Sequence, residues 1–296
     1  MYPILPDCAH VAERDNFGPV LVLESPHSRA EIALHGATIL SFISEPSSPS
    51  SRPLLWLSRR TGSAGGKPIR GGVPLCAPWF GPHRTAATAP MHGLVRTKLW
   101  ELLRVETLDD GTLRASFELS LPKDCASGWN HDAVASFVVT AGKSLRMELS
   151  IRNTGADSFL LSEAMHTYYA VSDVRNVRVE GLENTEYLEF AGDGKRHSHG
   201  AGPVVMKGEA ANMFYCARPV RIVDEQWGRA IDISSSGAAS TVVWNPWEST
   251  AAKQADIGEQ WPQFICVENA NIPDVAVPLR PNTTHHLSAE IAITKL

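Results

Sequence analysis

Leu113-Arg114-Ala115-Ser116-Phe117-Glu118-Leu119-Ser120-Leu121 places an apolar side chain at every odd position and a polar one at every even position. Successive side chains of an extended chain point to opposite faces, so this stretch reads as a half-buried β-strand. The same period of two recurs at 18–23, 135–140, 145–151, 177–179, 241–244, 264–267 and 287–293. Turn-forming clusters bound these runs, among them Asp109-Asp110-Gly111, Ala141-Gly142 and Asn153-Thr154-Gly155. Short alternating strands at roughly ten-residue spacing specify an all-β chain, a sandwich or a barrel. Helical signals are sparse; residues 249–257 offer one short turn or two, with little amphipathic pattern.

Three loops interrupt the strands: a Ser/Pro-rich stretch at 44–53, a Gly-rich stretch at 61–72, and a second Gly-rich stretch at 191–202 that is expected to be mobile. None divides regions of different composition, and no period of 20–50 residues is present. Residues 1–296 therefore read as a single domain. Lys plus Arg number 27 against 32 Asp plus Glu, a net charge of −5. Nucleic-acid binders are usually basic overall, so no nucleic-acid partner is expected, although a local basic pocket is compatible with this balance. The cysteines (Cys8, Cys76, Cys125, Cys216, Cys266) are odd in number, widely spread and free of any CxxC pair. That usage fits reduced thiols better than a disulfide framework or a zinc site. No run approaches the roughly 18 apolar residues of a membrane span, and residues 1–10 show no basic run followed by an apolar stretch. The expectation is a soluble, cytoplasmic monomer without membrane contact.

Four segments hold residues that can carry chemistry. The first is Arg70-Gly71-Gly72-Val73-Pro74, which continues to Trp79-Phe80-Gly81. Paired glycines let a ligand approach the main chain, and an arginine offers a forked donor to phosphate or carboxylate; a tight turn with a surface arginine explains the same letters. The second, Met91-His92-Gly93-Leu94-Val95-Arg96, is either a binding loop or a plain loop-to-strand transition. In the third, 161–173, a strand would put Ala164, His166 and Tyr168 on one face and Met165, Thr167 and Tyr169 on the other. His166 is there either a structural histidine or a proton-transfer group. In the fourth, Phe264-Ile265-Cys266-Val267-Glu268, an apolar strand ends in a carboxylate that is either a base with a raised pKa or a solvated strand end.

The ordered set Arg-Gly-Gly-x-Pro, His-Gly-x-x-Arg, His-Thr-Tyr and Cys-Val-Glu resembles the D-hexose-6-phosphate mutarotases of the aldose 1-epimerase superfamily. The resemblance runs from about Leu34 to the C-terminal strand and includes Trp56-Leu57-Ser58, Val179-Glu180-Gly181-Leu182 and Ser240 through Trp247. It implies a large antiparallel β-sandwich of the galactose mutarotase-like kind. It also implies that His166 and Glu268 are the catalytic pair, that Arg70 and Arg96 hold a 6-phosphate, and that His92 lines the sugar site. The implied substrate is a hexose 6-phosphate, with glucose 6-phosphate foremost, and no metal or organic cofactor is called for. Two positions depart from the family's pattern: Met91 stands where a Gln is common, and Ala211 where an Asp is common, with Glu209 an uncertain substitute. These departures leave open a non-catalytic sugar-phosphate binding protein, or a mutarotase of free aldoses.

Anomerisation fits the implied pair. Ring opening removes a proton from the C1 hydroxyl and delivers one to the ring oxygen, and a base and an acid acting together avoid a charged intermediate. Glu268 suits the ionised base and His166 the protonated acid, with the roles exchanged on closure. A sugar phosphate carries nearly two negative charges at neutral pH, which two guanidinium groups can bind with charge-assisted hydrogen bonds. Lys67 and Lys98 are expected to be solvated, His197-Ser198-His199 lacks a third ligand nearby, and most tryptophans are expected in the core.

Overall fold

The computed structural model describes residues 2–48 and 51–296. Residues 49 and 50 of the expected 44–53 loop, and residue 1 of the 1–296 unit, lie outside the described residues. The alternating stretch Leu113–Leu121 forms one strand of a nine-stranded sheet. It pairs antiparallel with Ala133–Ala141, which pairs in turn with Leu145–Asn153, followed by Thr284–Lys295 and Arg229–Ser236. Ala133–Ala141 is buried at every odd position and half-exposed at every even one, so the period of two read from the sequence is a period of burial. A four-stranded antiparallel meander covers residues 9–44.

An eight-stranded sheet faces the nine-stranded one. Its central strand, Phe264–Asn271, pairs with Ser240–Asn245 on one side and with Glu163–Met165 and Tyr168–Ala170 on the other. Ile265 and Val267 point into the main core, where they join Phe117, Phe137, Leu149 and Ile291 of the opposite sheet. The two sheets thus close an antiparallel sandwich, as expected of the fold class. The intervening residues Phe264, Cys266, Glu268 and Ala270 must point the other way. On that outer face lie two satellite clusters, one around Trp56, Tyr168 and Phe264, the other around Phe80, Met213 and Val242.

Three local expectations change. The apolar run at 264–267 does not end at the carboxylate: the strand continues to Asn271 and all eight of its residues are buried. Glu268, Asn269 and Asn271 hide the continuation because they are polar, yet cross-strand pairing carries through them to Glu163 and Ser240. The 191–202 stretch is not loop throughout, since Arg196–Ser198 pairs antiparallel with Glu186–Glu189 at the edge of the eight-stranded sheet. Its charged, glycine-rich letters suit an edge strand, which has a partner on one side only. The helix expected at 249–257 falls at Trp247–Ala251, with a 3-10 segment at Gly258–Gln263. All five cysteines are free, and no helix among the described residues is long and apolar enough to cross a membrane.

Candidate active site

Glu268 sits in the middle of the innermost strand of its sheet, opposite Val242. The adjoining chain pairs Met165 with Asn269 and Tyr168 with Cys266, so the two residues between them, His166 and Thr167, pass alongside Glu268. The amide of His166 donates to the Pro74 carbonyl at 3.0 Å, which draws the Arg-Gly-Gly segment against the same strand. His166 Nδ1 lies 3.3 Å from Glu268 Oε1. Among the described residues, neither His166 Nδ1 nor Glu268 Oε2 has a hydrogen-bond partner, although both are buried. Buried polar atoms are nearly always paired, so two unpaired ones on neighbouring residues that both line the cavity mark a place where a polar ligand belongs.

The distance alone would suggest an ion pair, but burial opposes both charges. It pushes the Glu268 carboxyl well above its ordinary pKa, against a smaller opposing pull from Arg96. It drives His166 well below its ordinary value, helped by His92, Arg96 and Arg70. The pair therefore favours a proton on the carboxyl and a neutral imidazole, the reverse of the ionised base and charged acid expected from the sequence. The two arrangements hold the same number of protons and differ by one transfer between neighbours.

Two loops build the walls. In the first, Gly72 has φ +66°, and a Cβ there would lie 2.1 Å from the Ile39 carbonyl oxygen. Only glycine lets the chain pass so close to its neighbour, and this passage aims Arg70 at the cavity. Arg70 Nε donates to Asp256 Oδ2 at 2.8 Å, and one terminal nitrogen donates to the Tyr168 hydroxyl at 3.2 Å. In the second loop, Gly93 has φ +78°, and a Cβ there would sit 2.0 Å from the Ala77 carbonyl oxygen. Arg96 donates to the Met91 carbonyl at 2.7 Å, while its Nε is buried without a partner among the described residues. His92 Nδ1 accepts from the Gly81 amide at 3.2 Å, so the neutral ring carries its hydrogen on Nε2. Burial, then Arg96 and Arg70, lowers the His92 pKa to about 3, which keeps it neutral.

All five residues singled out in the sequence, Arg70, His92, Arg96, His166 and Glu268, line one cavity of about 710 Å³. Lys67 lines it too, whereas Lys98 does not. Tyr168, Gln254, Asp256 and Asp274 also line it and went unassigned in the sequence, and Trp244 lines it although most tryptophans are expected in the core. The His-Thr-Tyr letters contain Tyr168, so the period-two face shared with His166 was the available signal. Asp256 lies 186 residues from the arginine it binds, and no local pattern joins them. Met91 and Ala211 both line the cavity and make that part of its wall apolar. Glu209 does not replace the missing carboxylate, because it is turned away to accept from the Thr250 hydroxyl.

Among the described residues, two groups of side chains present donor atoms within 4.8 Å of one another: the buried His166, Cys266 and Glu268, and Glu189, Asp193 and His197 on the edge hairpin. His199 is engaged elsewhere, with the Gly202 carbonyl, so the His-Ser-His letters do not converge.

A family model described as aldose 1-epimerase matches residues 19–292. The "Putative glucose-6-phosphate 1-epimerase" of Cenchrus ciliaris is 30% identical over 266 residues, covering 85% of this chain and 77% of that one. A crystal structure of a "putative mutarotase" from Salmonella typhimurium superposes with a TM-score of 0.88 at 26% identity, covering 99% of this chain and 96% of the other. A galactose mutarotase-like protein from Clostridium acetobutylicum superposes with a TM-score of 0.74 at 13% identity, covering 98% of this chain and all of the other, a likeness that speaks for the fold alone.

Proposed function

The chain belongs to the aldose 1-epimerase family, and from that premise we propose that it is a hexose-6-phosphate mutarotase that interconverts α and β anomers, with glucose 6-phosphate as the foremost substrate. The observation that carries the reading is the convergence of a buried carboxylate–imidazole pair, 3.3 Å apart, with two arginines on one cavity. The relatives' names supply the substrate class.

The substrate's phosphate, a near-dianion, lies against Arg70 and Arg96. It offsets the two positive charges that add to burial, the main cause, in holding the His166 pKa down. One proton transfer within the pair, from Glu268 to His166, produces the ionised base and charged acid that ring opening requires. Glu268 then takes the proton of the C1 hydroxyl, the C1 to ring-oxygen bond breaks, and His166 protonates the ring oxygen. The aldehyde rotates about its C1–C2 bond. Closure runs the same steps backwards on the other face, with the roles exchanged. His92, neutral and with its hydrogen on Nε2, donates to a sugar oxygen and adds no charge to the site.

The reading treats residues 1–296 as one unit. Support comes from a main core that draws on residues from Ala9 to Ile291 and from site residues spread between Arg70 and Glu268.

Saturation-transfer NMR of anomer exchange on glucose and glucose 6-phosphate, side by side, tests the proposal. Wild-type protein accelerates exchange of the phosphorylated sugar; Glu268→Gln and His166→Ala each lower kcat by about 10²–10⁴-fold. Arg70→Ala and Arg96→Ala lose activity selectively on the phosphorylated sugar. An unchanged spontaneous rate with every hexose phosphate tried would sink the proposal, and tight glucose 6-phosphate binding without acceleration would instead favour a binding protein.

A further inference from the structure

The geometry points to Tyr168 as the positioning residue that ties the phosphate-binding arginine to the proton-transferring histidine. Its hydroxyl accepts from Arg70 at 3.2 Å. Its ring lies flat on the His166 imidazole, with centroids 4.8 Å apart and planes 6° apart. One side chain thus touches both halves of the site, the charge that grips the substrate and the ring that moves the proton. This role rests on the mutarotase reading above.

Tyr168 is built to be stiff. It is 2% exposed and is boxed by Trp56, Phe264 and Trp244, with ring centroids 5.7, 5.3 and 5.9 Å away. Its amide donates to the Gly72 carbonyl at 2.9 Å, and its carbonyl accepts from the Trp56 amide at 2.9 Å. The first of these partners belongs to the same Arg-Gly-Gly segment that carries Arg70, so arginine and tyrosine are held in one frame. The hydroxyl and Asp256 occupy two adjacent nitrogens of the guanidinium. Held at those two points, the planar fork keeps its remaining N–H groups for an anion and loses little freedom when it binds one. The stacked ring fixes the His166 plane in the same way, which matters because proton transfer tolerates little misplacement.

Tyr168→Phe separates the two roles: it removes the hydroxyl and keeps the ring. The loss of a hydrogen bond to a charged donor should raise KM for glucose 6-phosphate about tenfold, with kcat held within about twofold. Activity on free glucose should fall by less than activity on glucose 6-phosphate. Tyr168→Leu also removes the stack and should lower kcat on both sugars. Circular dichroism and Tm of each variant report folding independently. An unchanged KM in Tyr168→Phe, or an equal loss on phosphorylated and free sugar, overturns the assignment. If wild-type protein accelerates no anomer exchange, the mutarotase reading has failed. Calorimetric binding of glucose 6-phosphate then still decides the anchoring role: a Kd raised about tenfold in Tyr168→Phe supports it, and an equal Kd rejects it.

Discussion

A carboxyl with a raised pKa and an imidazole with a lowered one, set 3.3 Å apart, define the pH behaviour of the site. On the proposed mechanism, the working state holds one proton between them. It is lost at low pH, when His166 gains a second proton, and at high pH, when Glu268 releases the only one. The rate should follow a broad bell whose acid limb lies below the ordinary histidine range and whose alkaline limb lies well above the ordinary carboxylate range. Arg96 lowers both values, so Arg96→Gln should move both limbs to higher pH. A profile of kcat/KM on free glucose checks this without the complication of lost phosphate binding. A bell that stays in place would mean that Arg96 does not act on the pair.

At the scale of elements, the site joins one rigid strand to two tight loops, and the loops depend on glycine. Gly72 combines φ +66° with a carbonyl oxygen 2.1 Å from where a Cβ would sit. Gly72→Ala should cost at least about 2 kcal/mol, from the left-handed backbone and the forced displacement together; urea unfolding measures the loss. Much of this was legible beforehand. The period of two in 113–121 and its neighbours follows from burying one face of a sheet, which the letters record directly. The extension of the 264–271 strand was not legible, because a strand covered on both faces needs no alternation and here carries Glu268, Asn269 and Asn271. The five expected site residues do meet on one cavity, but the order of motifs along a chain holds no coordinates. The Asp256 and Tyr168 anchors of Arg70 are contacts across 186 and 98 residues that only the fold creates.

At the scale of the molecule, the two large sheets are linked at a polar point inside the sandwich. Glu163, fully buried on the eight-stranded sheet, meets His285 of the nine-stranded sheet at 3.0 Å, and Asn271 donates to the same carboxylate. The hydrogen bond to Glu163 raises the His285 pKa against the opposing effect of burial. A raised folded-state pKa means the stabilisation is complete below the unfolded value, near 6.5, and fades as pH rises through the folded value. His285→Gln should cost about 1–3 kcal/mol at pH 6, less than a fully buried pair because the imidazole is partly solvated. The gap from wild type should narrow by pH 9, as read by denaturant unfolding at both values. The placement of the site on the sandwich has a further consequence. Glu268 stands on a strand locked between neighbours, His166 on the short link between two strands beside it, Arg70 on a loop and Arg96 on a single 3-10 turn. On the proposed mechanism, chemistry and cargo recognition are then separable inheritances: a loop exchange re-addresses the molecule to another sugar while the ring-opening pair stays where the sheet put it.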